Sequence, residues 1–309
     1  MTQPSATTLG GGVRVRRRST IERRRNTAAW LFLTPALLVL GVFVLWPMVS
    51  SLLTSLTDAR VAGTPEWIGI ENYTRLFQDP RFQGALANTA IYALGTAPIS
   101  VLLALGFALL LNRRIPARSF FRAVIFFPFI VSLGIVSIAW GFMLDPQVGV
   151  LAAWFSDIGL PIGNGIRDPA WAMPFVILVG IWRNVGFFMV LYLAGLQSVP
   201  EELLEAAQID GATAFQRFRL ITLPLLNNTT TFVVMIAAIF AFQAFDQIYV
   251  MTAGGPFFRT ETMVMFIYST AFQDFKMGYA SAISWVLVII VLVISLVQLR
   301  FFSRRTVQY

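Results

Sequence analysis

Neither cysteine nor histidine occurs among the 309 residues. Their absence excludes a disulfide framework, a thiol nucleophile, an imidazole zinc site and a histidine proton relay. Charge is scarce as well. Only 12% of residues are charged, against about a quarter in an ordinary soluble domain, while 57% are hydrophobic. No stretch reads G-x-x-x-x-G-K-[ST], and the triplet Gly10-Gly11-Gly12 has no lysine behind it, so a phosphate-loop nucleotide site is excluded. Paired carboxylates, a nucleophile beside a base and metal-ligand clusters are equally missing. What remains is apolar sequence in runs long enough to cross a bilayer several times.

The net charge of +8 would suit nucleic acid if it were spread over a surface, but seven arginines lie in the first 25 residues, ahead of an apolar run. That placement reads as a cytoplasmic anchor on anionic headgroups, with no nucleic-acid partner. Residues 1–27 are expected to be a disordered basic cytoplasmic tail, rich in Thr, Ser and Gly over residues 1–12.

Six spans are expected, near 29–53, 86–111, 120–144, 171–196, 231–251 and 279–302. The first run is too long for a cleavable signal peptide, whose apolar core is about 7–15 residues. Outer segments follow the first, third and fifth spans. This divides the chain into a tail (1–27), a first span with its outer segment (28–84), a core of five helices (85–303) and a short cytoplasmic tail (304–309). The assignment puts sixteen basic residues on one side of the membrane and six on the other, with Arg183 inside a span. Such a bias makes the richer side cytoplasmic and leaves both termini there.

One stretch on that side breaks the apolar pattern. Ser198 to Asn228, SVPEELLEAAQIDGATAFQRFRLITLPLLNN, holds four of the fifteen acidic residues. Ser198 with Glu201 reads as a capping box, with Pro200 in the first turn. Leu203, Leu204 and Ala207 then share one side of a short helix. Asp210-Gly211 ends it, since Gly accepts a positive φ and Asp can cap a second helix. That second helix carries Ala214, Phe215, Phe218, Ile221 and Leu225 at helical spacing, and Pro224 should bend the chain back toward the bilayer. The reading is a helical elbow lying along the membrane.

Glu205-Ala206-Ala207, Asp210-Gly211-Ala212 and Leu223-Pro224, in that order and spacing, resemble the EAA loop of permease subunits from binding-protein-dependent ABC importers. FDQIYVMTAGGP, residues 245–256, resembles a segment of the carbohydrate-uptake branch, the sugar and glycerol-phosphate permeases. Asn228 departs from the family, which often has a second proline there. The resemblance implies an all-α membrane protein of six transmembrane helices, a type I ABC importer transmembrane domain with a cytoplasmic coupling helix. It also implies a bacterial inner-membrane location and coupling contacts to an ATPase through Glu201, Glu202, Leu203, Leu204, Glu205, Ala206, Ala207, Asp210 and Gly211. The implied partners are a second, related permease subunit in a heterodimer, two copies of an ABC ATPase and an extracytoplasmic solute-binding protein. This chain needs no cofactor of its own, since ATP and Mg belong on the partner ATPase.

Polar side chains at membrane depth usually face a cavity or another helix. Span four carries Trp182, Arg183, Asn184 and Phe187, and span five carries Gln243, Asp246 and Tyr249. Aromatic faces beside amide and carboxylate groups suit a sugar, with its apolar C–H faces and many hydroxyls. Two readings stay open: these residues line a solute pathway, or Arg183 and Asp246 pair to stabilise packing. The expected activity is alternating-access import of a carbohydrate or related polyol, with ATP hydrolysed elsewhere. The alternative is an ion-coupled secondary transporter, whose relay would rest on Asp246 alone.

Overall fold

The computed structural model describes residues 20–113, 115–159 and 165–303. The tail arginines Arg14, Arg16, Arg17 and Arg18, the expected disordered start and the tail 304–309 lie outside the described residues. By its contacts the chain divides into two units, residues 1–51 and 52–309.

The first unit holds α1 (Thr20–Leu40) and the π turn Gly41–Leu45, so helix begins at residue 20, within the tail expected to be disordered to residue 27. Pro35 lies inside α1 and has no N–H to donate. One residue earlier, Thr34 Oγ1 bonds the Trp30 carbonyl at 2.6 Å. The chain runs on as α2 (Trp46–Ser55), which crosses into the second unit.

In the second unit, α3 (Glu71–Gln78) is a short helix between two spans. Its buried Asn72 donates to the carbonyls of Ser55 and Thr57, both at 2.8 Å. Helix α4 (Pro80–Asn112) comes next, 33 residues long. Asp79 caps it by accepting from the Arg81 N–H at 2.9 Å, and Pro80 fills the first turn, where an N–H would be unsatisfied anyway.

The expected third span is not one straight helix. It comprises α5 (Arg118–Ile130) and α6 (Leu133–Met143), bent by 95°. Pro128 removes a rung near the end of α5, Val131 leaves the helix with φ −70° and ψ 143°, and the chain restarts at Ser132. The segment after α6 contains α7 (Val150–Asp157) and a 3₁₀ turn at Gly165–Arg167.

Helix α8 (Ala172–Gln197) leads to the elbow, made of α9 (Glu201–Ile209), α10 (Ala214–Arg217), a π turn at Phe218–Thr222 and α11 (Leu223–Leu225). The expected Ser198–Glu201 capping box does not form. Ser198 serves the helix before it, donating to the Gly195 carbonyl at 2.7 Å, and Pro200 stands at the N-cap of α9. Asp210 does not cap the next helix either. It ends α9, and the capping box belongs to Thr213 and Gln216. Thr213 N–H donates to Gln216 Oε1 at 2.7 Å, while Gln216 N–H donates to Thr213 Oγ1 at 3.3 Å. The turn back toward the bilayer falls at Leu226, two residues after Pro224.

The fifth span is also interrupted. Helix α12 (Asn227–Phe242) stops at Gln243, and α13 (Asp246–Met251) begins three residues later. Beyond the outer turn, whose Gly255–Pro256 peptide is cis, α14 (Met263–Tyr268) tucks Met263, Met265 and Phe266 inside. Helix α15 (Met277–Ser303) is the last span. Among the described residues five helices are long and apolar enough to cross a membrane, or six if the bent pair α5–α6 is one span.

Helix α8 is the centre of this unit, packing against α4, α5 and α12. Lipid tails are as apolar as leucine, so close backbone approach must hold such helices together, and glycine permits it. A Cβ at Gly186 would strike the Ile125 carbonyl of α5, and one at Gly195 would strike the Thr229 side chain of α12. One at Gly180 would strike the Tyr92 hydroxyl of α4.

Candidate functional site

Both interrupted spans open onto one cavity of about 210 Å³. Phe129 and Leu133 line it from either side of the α5–α6 bend, and Gln243, Ala244, Phe245 and Asp246 line it from the α12–α13 break. Helix α8 contributes Arg183 and Asn184, and α4 contributes Tyr92. Non-helical backbone at membrane depth is tolerated where it faces protein or a polar cavity, and both breaks meet that condition together.

The polar groups here are held, yet not used up. Arg183 lies with its guanidinium carbon 4.8 Å from the Phe129 ring centroid, and its Nη1 donates to Asn184 Oδ1 at 3.3 Å. Its Nε is buried without a partner. The ion pairs among the described residues are Arg81–Glu261, Arg81–Asp274 and Arg167–Asp145. Arg183 and Asp246 therefore share the cavity without pairing. Behind them the buried Gln247 donates to the Tyr92 hydroxyl and to the Val176 carbonyl, tying α13 to α4 and α8.

Of the seven residues expected along a pathway, Arg183, Asn184, Gln243 and Asp246 line this cavity. Phe187 stands behind its wall, stacked on Phe129 at 4.4 Å and on Phe240 at 5.9 Å. Trp182 points elsewhere and meets Trp140 edge-on, while Tyr249 stacks on Phe245 and meets Tyr268 edge-on. Sequence pattern does not single out Tyr92, Phe129 and Phe240. They sit in apolar runs and gain a role only through the folded geometry.

The elbow closes over a second cavity, of about 680 Å³. Glu201, Leu204, Glu205 and Gln208 line it, a spacing that places them on one face of α9, opposite Asn112 and Arg113 at the end of α4. Arg217 donates to Gln208 across it. The other face shows Glu202, Leu203, Ala206 and Asp210 to solvent, with Ile209 86% exposed. Leu204 and Ala207 are half-buried against their own chain, so Ile209, outside the expected set, is the large apolar group most open to a partner. Gly211 has φ +82°, the left-handed conformation its turn needs.

A third cavity, of about 440 Å³, lies between α6, the Gly255–Pro256 turn and an ion pair, Arg167 Nη2 to Asp145 Oδ2 at 2.7 Å. The Gln147 N–H at 2.9 Å and this guanidinium hold the Asp145 carboxyl below its ordinary pKa. Among the described residues no cluster of His, Cys, Asp and Glu could hold a metal ion.

The family model described as "Binding-protein-dependent transport system inner membrane component" matches residues 23–306. The lactose transport system permease protein LacF of Rhizobium radiobacter is 36% identical over 287 residues, which cover 91% of this chain and 96% of LacF. The sn-glycerol-3-phosphate transport system permease protein UgpA of Agrobacterium fabrum is 31% identical over 278 residues, 89% and 94% of the two chains. Among solved structures, a chain of a bacterial ABC transporter involved in the import of the acidic polysaccharide alginate superposes with a TM-score of 0.79 at 26% identity. That match covers 92% of this chain and 98% of the other.

Proposed function

The chain belongs to the family of binding-protein-dependent transport system inner membrane components, and on that premise we propose that it forms half of a sugar-importing pathway. It is a permease subunit of an ABC importer, and its solute is a carbohydrate or related polyol. The observation that carries this reading is the convergence of two broken spans on one polar, aromatic-walled cavity at membrane depth. Phe129, Phe240 and Phe245 offer ring faces to a sugar, while Arg183, Asn184, Gln243 and Asp246 offer donors and acceptors.

The remaining half of the pathway comes from a second, related permease subunit. Two copies of an ABC ATPase, carrying ATP and Mg, dock on the elbows, and a binding protein delivers solute from outside. This chain hydrolyses nothing itself. It sits in the inner membrane with both termini in the cytoplasm. The solvent face of α9 enters a groove on the ATPase, with Ile209 and Leu203 as apolar contacts and Glu202 and Asp210 at the rim.

The decisive experiment is ATPase activity of the complete assembly in lipid, with its binding protein, across a panel of sugars, polyols and glycerol phosphates. Stimulation by one ligand establishes the importer and names the solute. An assembly without ATPase, whose uptake collapses with the proton gradient, would instead make the chain a secondary transporter.

A further inference from the structure

We propose that the cavity at the two chain breaks selects an uncharged polyhydroxylated solute, a neutral sugar or polyol, and that Asp246 is the residue that turns anions away. This inference rests on the importer reading and narrows it. The family does not decide the question, because the named relatives carry both kinds of solute: lactose is neutral, whereas glycerol phosphate and alginate are acidic.

The argument starts from charge and volume. Arg183 and Asp246 are the only charged residues lining the cavity, so its formal charge is zero. They are not paired with each other, and Arg183 Nη1 donates to Asn184 Oδ1 at 3.3 Å. The space, about 210 Å³, is partly open, and Arg183 and Asp246 both line it. A ligand group that reaches Arg183 therefore also feels the charge of Asp246.

A phosphate or uronate there gains attraction from the guanidinium and loses a comparable amount to the carboxylate. An ionised carboxylate only accepts hydrogen bonds, so a fully ionised ligand group has no proton to offer it. A neutral polyol meets both demands. One hydroxyl oxygen accepts from Arg183, another hydroxyl donates to Asp246, and the ring's C–H face lies on Phe129, Phe240 or Phe245. A site built for anions would show surplus positive charge, and this chain's share of the pathway has none.

The test uses the complete transporter in lipid nanodiscs without its binding protein, so that selection by the membrane pathway is read apart from the binding protein's, and substitutions in this chain isolate its cavity. A neutral hexose and disaccharide are titrated against the 6-phosphate and uronate forms of the same sugars, with binding followed by saturation-transfer NMR. Wild-type transporter should bind the neutral forms. Asp246→Asn should raise the ratio of anionic to neutral affinity by about tenfold, while Arg183→Gln weakens both classes without raising that ratio. Because the readout is a ratio, a general loss of active protein cannot imitate it. Tighter binding of the anionic forms to wild-type transporter, an unchanged ratio in Asp246→Asn, or no binding of any sugar each overturns the proposal. If ligand-stimulated ATPase of the assembly survives any of those results, the importer reading stands and only the neutral-solute inference falls.

Discussion

Arg81 and Glu261 meet from opposite ends of the core in a bidentate ion pair, Nε to Oε2 at 2.9 Å and Nη2 to Oε1 at 2.7 Å. The Glu261 side chain is only 3% exposed and that of Arg81 is 30% exposed. Arg81 Nη2 also donates to Ser269 Oγ at 3.0 Å, and the guanidinium faces the rings of Phe258 and Phe266 at 4.7 and 4.9 Å. Nearby, Asn88 donates to the carbonyls of Phe258 and Glu261. The outer segment between α13 and α15 is thereby fastened to the first turns of α4.

Removing one partner of a buried pair typically costs about 3–5 kcal/mol, because the other charge is left behind. Arg81 is nearly a third exposed, so water recovers part of that cost, and Glu261→Gln should destabilise the protein by roughly 2 kcal/mol. Arg81→Lys keeps the charge and loses the fork geometry, so it should fall between Glu261→Gln and the parent. Thermal unfolding in nanodiscs checks the order. A Glu261→Gln transition unchanged from the parent would mean that the pair fastens nothing.

Two glycines of α8 should respond differently to the same added methyl. At Gly186 the obstacle is α5 backbone, the Ile125 carbonyl and the Phe126 Cα at 2.7 Å, which cannot rotate away. Gly186→Ala should therefore cost about 1–3 kcal/mol or prevent assembly. At Gly180 the nearest obstacle is the Tyr92 hydroxyl, the end of a side chain. Gly180→Ala should be milder in stability but disturb the cavity that Tyr92 lines, and Tyr92→Phe in the same chain should restore stability. Unfolding of the two single variants and the double variant tests this; failure of Tyr92→Phe to rescue would place the clash elsewhere.

The outer ion pair predicts an acid step. Asp145 is held below its usual pKa, so the stability it contributes is present above the unfolded-state value, near 3.9, and is lost as pH falls through the lower folded value. Protection of residues 145–151 against hydrogen exchange, corrected for intrinsic rates, should be flat from about pH 7 to 5 and fall below about pH 4. Asp145→Asn should lower protection at neutral pH and remove the step. A step at neutral pH in the parent would implicate a different group.

Features of this fold are legible in the sequence where their signal is local. The six spans and the elbow are readable because run length and the cluster Glu201, Glu202, Glu205 and Asp210 are properties of neighbouring residues. Capping is ambiguous without the helix start: Ser198-x-x-Glu201 and Thr213-x-x-Gln216 both fit the pattern, and only the second straddles a first turn. The break at Gln243–Phe245 contains neither Gly nor Pro, so no breaker announces it. Pro128 marks the bend in the third span, but its 95° angle is a tertiary property. Arg81 and Glu261 lie 180 positions apart, and nothing local marks either as the other's partner. Arg183 and Asp246 stand out as polar residues at depth, whereas their failure to pair is visible only in the fold.

The elbow allows docking and folding to be separated by choice of face. Ile209 is 86% exposed, so Ile209→Asp changes a surface position and should leave folding within about 0.5 kcal/mol. Leu204 borders the inner cavity of the elbow, and Leu204→Asp places a charge against half-buried surface, so it should destabilise the elbow itself. Gly211→Val is a third case. No atom stands within 4 Å of the added Cβ, so the penalty is purely conformational: φ +82° is unfavourable for a β-branched residue by about 1–2 kcal/mol or more. That penalty falls on the turn joining α9 to α10 and leaves the spans untouched. If α9 transmits ATPase closure as a rigid lever, Gly211→Val should insert and assemble normally yet lose most ligand-stimulated transport. Ile209→Asp should lose ATPase association at unchanged thermal stability. Co-purification of the ATPase, unfolding temperature and transport, measured on the same three variants, distinguish a lost contact from a lost fold and from a loosened lever. Parental transport by Gly211→Val would show that the turn bears no part of the coupling, whatever Ile209 does.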